Sequence, residues 1–166
     1  MSQLAIGRGH HLWRGVVVAI LVTLATVGYI YREEVTYGYD WMPVFSTEKI
    51  TIDFITFNVR VARTPEARFK GLTAYDSIPA RNGMLFVYDE DGYYSVTAEW
   101  TRFPTDIMWM ESNGTIVQIA ENVQAGEPYT IRATSEARYI LQMNAGIVQR
   151  HSISVGSSVN LSDLRK

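Results

Sequence analysis

The 166-residue chain contains no cysteine. That absence excludes disulfides, thiolate metal sites and thiol nucleophiles together, and it leaves the redox compartment unmarked. A basic excess is missing too: 15 Lys and Arg against 17 Asp and Glu give a formal net charge of -2. The cationic surplus that neutralises phosphates along a nucleic acid is therefore lacking, which disfavours nucleic-acid binding. Histidine is scarce; His10 and His11 lie near the start and only His151 falls in the remainder. The chain also lacks a Gly-rich phosphate loop, a G-x-S-x-G elbow and an H-x-x-x-H metal motif, so nucleotide binding, triad hydrolysis and a zinc centre have no sequence signature here. No metal and no cofactor is expected. There is no internal repeat and no low-complexity tract.

What is present begins with an apolar run. Residues 15–31 carry no charge, and with Leu12 and Trp13 in front they make a stretch of about 20 residues, the length that crosses a bilayer. Val and Ile occur all round it, so it has no polar face for an amphipathic core helix. Arg8, Arg14 and the amino terminus lie on one side and Arg32 on the other. The positive-inside rule then assigns 1–11 to a cytoplasmic tail, 12–31 to a single-pass transmembrane anchor and the C-terminal part to the outside, with the lipid bilayer as a partner. The rival reading is a cleaved signal peptide, for which Thr23-Leu24-Ala25 is a poor cleavage site. Tyr37, Tyr39 and Trp41 with Pro43 make 32–48 an aromatic linker, suited to the headgroup region or to packing on its own domain.

Residues 49–166 have the size of one domain with one core. Ile50, Ile52 and Phe54 share one face and Phe57, Val59 and Val61 another, with the change of phase around Ile55-Thr56 marking a hairpin. Thr64 as N-cap, Pro65 at the first helical position, early Glu66 and Gly71 at the end predict a short helix over Pro65–Lys70. Met84–Tyr88 and Tyr93–Ala98 flank Asp89-Glu90-Asp91-Gly92 as a second predicted hairpin, and Ile107–Met110 and Thr115–Ala120 flank Glu111-Ser112-Asn113-Gly114 as a third. Tyr129–Ala133, Arg138–Asn144 and Ser158–Leu161 read as further strands, and Ala145–Arg150 as one or two helical turns. Roughly seven to nine short strands with frequent turns predict a mainly β fold: a compact antiparallel β-sandwich or barrel-like domain with one or two short helices, behind the transmembrane helix.

Five phrases carry a resemblance. Thr64-Pro65-Glu66-Ala67-Arg68-Phe69-Lys70-Gly71-Leu72, Gly83-Met84-Leu85-Phe86-Val87-Tyr88, Phe103-Pro104-Thr105-Asp106-Ile107-Met108-Trp109-Met110, Glu121-Asn122-Val123 and Leu141-Gln142-Met143-Asn144-Ala145-Gly146 resemble, in order and spacing, segments of the prokaryotic family called domain of unknown function 192. The resemblance covers Ile50–Val159. It implies a compact β-sandwich-like domain with a short helix, often behind an N-terminal signal or anchor, and it implies no established activity. Many members read W-M-K-N-T or a close variant before the proline, whereas this chain has Thr97-Ala98-Glu99-Trp100-Thr101-Arg102. Glu99 and Trp100 replace basic and amide side chains there.

Asp106 opens a strand otherwise made of Ile, Met and Trp, where an ionised carboxylate is costly unless paired or placed at a strand mouth. It reads either as a structural acceptor for loop backbone, Arg102 or Arg138, or as a ligand-orienting or general-base group. Asn144 stands where a strand passes into a helix, which suits an N-cap. Trp100, Trp109, Tyr93, Tyr94 and Phe103 read as core aromatics, or, where Trp100 and Tyr94 point outward beside Glu99, Arg102 and Asp106, those two make a stacking cleft. The first functional expectation is a membrane-anchored extracytoplasmic binding or accessory domain. Its site lies around Glu99, Trp100, Thr101, Arg102, Asp106 and Asn144, for a small polar ligand, an envelope polymer or a protein partner. The first alternative is a cell-envelope hydrolase or lyase using Asp106 with His151 or Glu99. The second is a structural subunit of a membrane complex that packs through Gly15, Ala19, Ala25 and Gly28.

Overall fold

The computed structural model describes residues 46–126, 128, 130–162 and 164. The expected tail and anchor, and nearly all of the linker, lie outside these residues. Among the described residues no helix is long and apolar enough to cross a membrane.

The described residues belong to one compact unit, Val44–Lys166. Strands β1 (Ser46–Ile52) and β2 (Ile55–Ala62) form the first hairpin. Helix α1 (Pro65–Lys70) follows, with the Thr64 side chain accepting from the Ala67 amide at 3.2 Å and Pro65 in its first turn. Gly71 closes it at φ 47°, where its amide donates back to the Ala67 carbonyl. Next come β3 (Asn82–Gly92), β4 (Val96–Thr97), β5 (Thr105–Met110), β6 (Ile116–Val123), β7 (Thr130–Ile131), β8 (Ala137–Asn144), helix α2 (Ile147–His151) and β9 (Val159–Asn160). Seven strands make one curled half-barrel sheet in the order β6-β5-β8-β3-β2-β1-β9, and β4 and β7 form a separate ribbon.

Two expectations are corrected. Of the two expected forms the barrel-like one holds, as a curled half-barrel sheet with two short helices rather than a sandwich, and the sheet is not wholly antiparallel, since β2 and β3 run parallel. The reason is their connection: α1 lies in the crossover between them, which a hairpin cannot replace. The second predicted hairpin is also absent. β3 continues through Asp89-Glu90-Asp91 to Gly92, with a register shift against β8 after Val87, and Val96–Thr97 pairs with β7 instead. The Tyr94 ring lies 3.1 Å from where a Gly92 Cβ would stand, and it stacks on Tyr88 at 3.5 Å. The Asp-Gly signal therefore ends the strand and turns the chain away.

The curl comes close to closing at one end. Thr115 bridges to Ser158, and the Val159 amide donates to the Gly114 carbonyl at 2.9 Å, tying the β5–β6 turn to β9. Gly114, at φ +87°, permits this approach: a Cβ there would sit 2.2 Å from the Val159 carbonyl oxygen.

Strand alternation divides the apolar residues between two cores. The inner core joins Phe57, Val59, Leu85, Met108, Met110, Leu141 and Met143 to Ile147 and Val148 of α2. The outer core gathers Met84, Phe86, Ile107, Trp109 and Ile140 under Ala67, Leu72, Ala98 and Phe103. On β5, then, Thr105, Ile107 and Trp109 face outward from the curl, and Asp106, Met108 and Met110 face into it.

Candidate functional site

On the outer face, a cavity of about 380 Å³ opens between the α1–Gly71 turn and the segment from Ser95 to Thr101. That volume falls in the range of ligand sites. Leu72 and Phe86 form buried walls, Tyr88 is half-buried beside them, and Phe69 and Trp100 stand at the rim, 90% and 64% exposed. Large exposed aromatics at a pocket mouth are apolar surface left without a partner in the fold.

Gln142 supplies the polar group of the buried wall. It lies within β8, registered between Met84 of β3 and Ile107 of β5, and is 2% exposed. One end of its carboxamide is held by Thr105, with Nε2 donating to Oγ1 at 3.0 Å. No other hydrogen bond reaches it among the described residues, yet none of their buried side-chain oxygens or nitrogens is both enclosed and unpartnered. The second end of the amide therefore faces the cavity, which Gln142 lines. Thr101, also buried, turns its hydroxyl to the Ala98 carbonyl at 2.8 Å.

The charged groups along the cavity are Arg68 and Lys70, with no acid among its lining residues. Arg68 Nη1 donates to the carbonyls of Arg63 and Val87, the latter at 2.9 Å, and its guanidinium lies 4.7 Å from the Tyr88 ring centre. Both protons of Nη1 are thus used, while Nε and Nη2 make no hydrogen bond among the described residues. Burial raises the Tyr88 phenol above its ordinary value; the Arg68 charge opposes the shift and Tyr94 adds to it. Tyr88 is therefore a neutral donor along the whole physiological range.

Of the residues singled out in the sequence, Trp100 and Thr101 line this cavity. Glu99 is exposed beside them, its amide on the Thr97 hydroxyl at 3.3 Å. Arg102 turns outward to Asp76 at 2.6 Å, an exposed ion pair of the kind worth little in stability. Asn144 ends β8 instead of capping α2, because Gly146, in the left-handed region, starts the helix. Its Nδ2 holds the 76–81 loop through the Ile78 and Pro79 carbonyls at 2.9 and 3.3 Å. Asp106 faces the other way, into the curl. Its two oxygens accept from the Asn122 and Val148 amides, each at 2.9 Å, so a carboxylate from β5 does the capping of α2, where an anion is favoured. His151 sits at the far end of that helix, edge-on to Phe57 at 5.7 Å. Among the described residues no three His, Asp or Glu side chains gather as metal ligands. The aromatic set divides: Trp109 and Phe103 are buried, with Trp109 Nε1 on the Tyr94 carbonyl at 2.9 Å, whereas Tyr93 and Trp100 are exposed.

Sequence reading missed Arg68, Phe86, Tyr88 and Gln142. One signal was available: Gln142 is the only polar position in Tyr-Ile-Leu-Gln-Met apart from the phenol, an amide inside an apolar strand.

A small β domain with a curled sheet and an open outer-face cavity is the class of protein these features define. The family model described as Uncharacterized ACR, COG1430, domain of unknown function 192, matches residues 47–161. The chain belongs to this family. Its structure is similar to a crystal structure from Sinorhizobium meliloti 1021 described as a candidate transcription regulator, with a TM-score of 0.67 and 27% identity over 70% of this chain and 94% of that one. It is also similar to a protein of unknown function from Novosphingobium aromaticivorans DSM 12444, with a TM-score of 0.67 and 22% identity over 71% of this chain and 89% of that one, a likeness of fold alone. No curated protein matches the chain.

Proposed function

We propose that this protein is a membrane-anchored, extracytoplasmic binding domain that takes a small molecule into the cavity between Gln142 and Trp100. The observation that carries this reading is the cavity itself: apolar walls, exposed aromatics at the mouth, and a buried amide with one end unengaged. Such a combination of apolar enclosure with few fixed polar groups is the usual construction of a ligand pocket. The anchor and orientation rest on the apolar run of 12–31 and its flanking charges.

The enzyme alternative depends on Asp106 as a base, and both oxygens of that carboxylate are occupied by backbone amides on the face away from the cavity. A net charge of -2 offers no cationic surplus for nucleic acid, so the regulator description of the Sinorhizobium protein is not carried to this chain.

Two measurements test the proposal. Full-length protein in lipid nanodiscs, screened by thermal shift against amphiphiles, sugars and aromatic acids, is expected to gain stability with one class by mass action. Trp100 emission should respond to that class and the response should vanish in Trp100→Phe; stabilisation without any Trp100 response would place the ligand elsewhere. Protease added to intact spheroplasts should remove the domain, and protection until lysis would reverse the orientation.

A further inference from the structure

We infer that the cavity is built for the single chain of an anionic amphiphile, a fatty acid or its like, drawn from the leaflet to which the domain is tethered. The inference rests on the binding reading above and adds the ligand's chemistry and its source.

Three observations converge. The first is charge: the cavity lining carries Arg68 and Lys70 and no carboxylate. Arg68 is half-buried, held by carbonyls through Nη1 alone, and keeps Nε and Nη2 without a hydrogen-bond partner among the described residues. A guanidinium fixed on one side presents its remaining donors as a ready fork for a carboxylate or phosphate.

The second is lining chemistry. Behind that cationic edge the walls are Leu72, Phe86 and Val96, with Phe69 and Trp100 at the entrance. A sugar would leave the apolar walls unfilled, and a purely apolar molecule would leave the Arg68 donors unanswered. A chain with an anionic head satisfies both.

The third is position. Ser46 pairs with Val61, Val61 with Leu85, and the cavity residues Phe86 and Tyr88 follow Leu85 toward that same end of the sheet. Ser46, the first described residue, thus lies at the end of the sheet where the cavity lies. The other end of β1 carries the turn at Asp53-Phe54. Exposed Trp and Phe at a pocket mouth are the side chains that enter a headgroup layer most readily.

The test uses the full chain in phosphatidylcholine nanodiscs, with empty nanodiscs as reference and the Trp100 fluorescence difference from Trp100→Phe as readout. Three probes of equal chain length, decanoate, decanol and decyltrimethylammonium, separate head charge from chain. Decanoate is expected to bind about tenfold tighter than either of the others, the scale of one charge-assisted hydrogen bond. Arg68→Gln should erase that preference. Because Arg68 also ties α1 to its neighbours, Lys70→Glu serves as the second variant and should weaken decanoate while sparing decanol. Equal affinity for all three probes would overturn the anionic inference and leave the pocket reading standing; no response to any would overturn both. Oleate in donor vesicles tests the source. Its transfer to the protein supports a membrane origin, and binding of dissolved decanoate without uptake of oleate overturns it.

Discussion

Asp106 and Gln142 stand on neighbouring strands, Asp106 opposite Met143 and Gln142 opposite Ile107. Both are polar groups in apolar strands and both are at most 2% exposed. They differ in the face they occupy. Inside the curl, each oxygen of Asp106 has a backbone donor within the fold, one from α2 and one from the turn at Asn122. On the outer face, Gln142 finds Thr105 for one end and open cavity for the other. A buried polar group whose partners are all supplied by the chain serves the architecture; one that is half-supplied has affinity left for something else.

Substitutions separate these roles, the largest effect first. Asp106→Asn turns one acceptor into a donor facing a buried amide, so we expect a loss on the order of 2–4 kcal/mol in denaturant melts. The folded fraction should bind decanoate as the wild type does. A stable Asp106→Asn protein that no longer binds would erase the contrast between the faces. Gln142→Leu keeps the volume and removes the amide, leaving Thr105 free to rotate its hydroxyl; a cost of about 1 kcal/mol or less is expected, with altered ligand affinity. If this change unfolds the domain, Gln142 is as structural as Asp106. Trp100→Ala, at an exposed rim, should alter stability by no more than about 0.5 kcal/mol and weaken binding measured calorimetrically.

The smallest effect is that of pH. Burial holds the Tyr88 phenol above its ordinary value of 10.0, so the native state keeps its proton longer than the unfolded chain. The resulting stability is complete below pH 10.0 and is lost as pH rises through the native value. An ultraviolet titration of the phenols should show Tyr88 titrating late, and later still with the cavity filled by decanoate. Ionisation at the ordinary value would mean that its ring is wet.

Local features were legible wherever neighbours in sequence decide the outcome. The Thr64 cap, Pro65 and Gly71 bound α1 where expected, and Glu111-Ser112-Asn113-Gly114 turned β5 into β6. Asp89-Glu90-Asp91-Gly92 carried an equally plain hairpin signal and made no hairpin. Tyr94 stacks on Tyr88 and its carbonyl accepts from Trp109 Nε1, which holds the chain after Gly92 on another course, and the Trp109 contact comes from a distant strand. Asn144 had the chemistry of a cap, but the cap for α2 is supplied by Asp106 from across the sheet.

The sequence by itself determined the family, the mainly β character, the helix α1, the apolar run of 12–31 and the exclusion of thiol chemistry. These follow from composition, capping and alternation, which act over a few residues. Only the tertiary structure decided that Asp106 faces inward, that Gln142 keeps one end of its amide for the cavity, and that Arg68, Phe86 and Trp100 meet around it. The physical reason is that a β-strand sends successive side chains to opposite faces. Which face is sealed and which is left open depends on the curl of the whole sheet, fixed by long-range pairing such as Thr115 with Ser158.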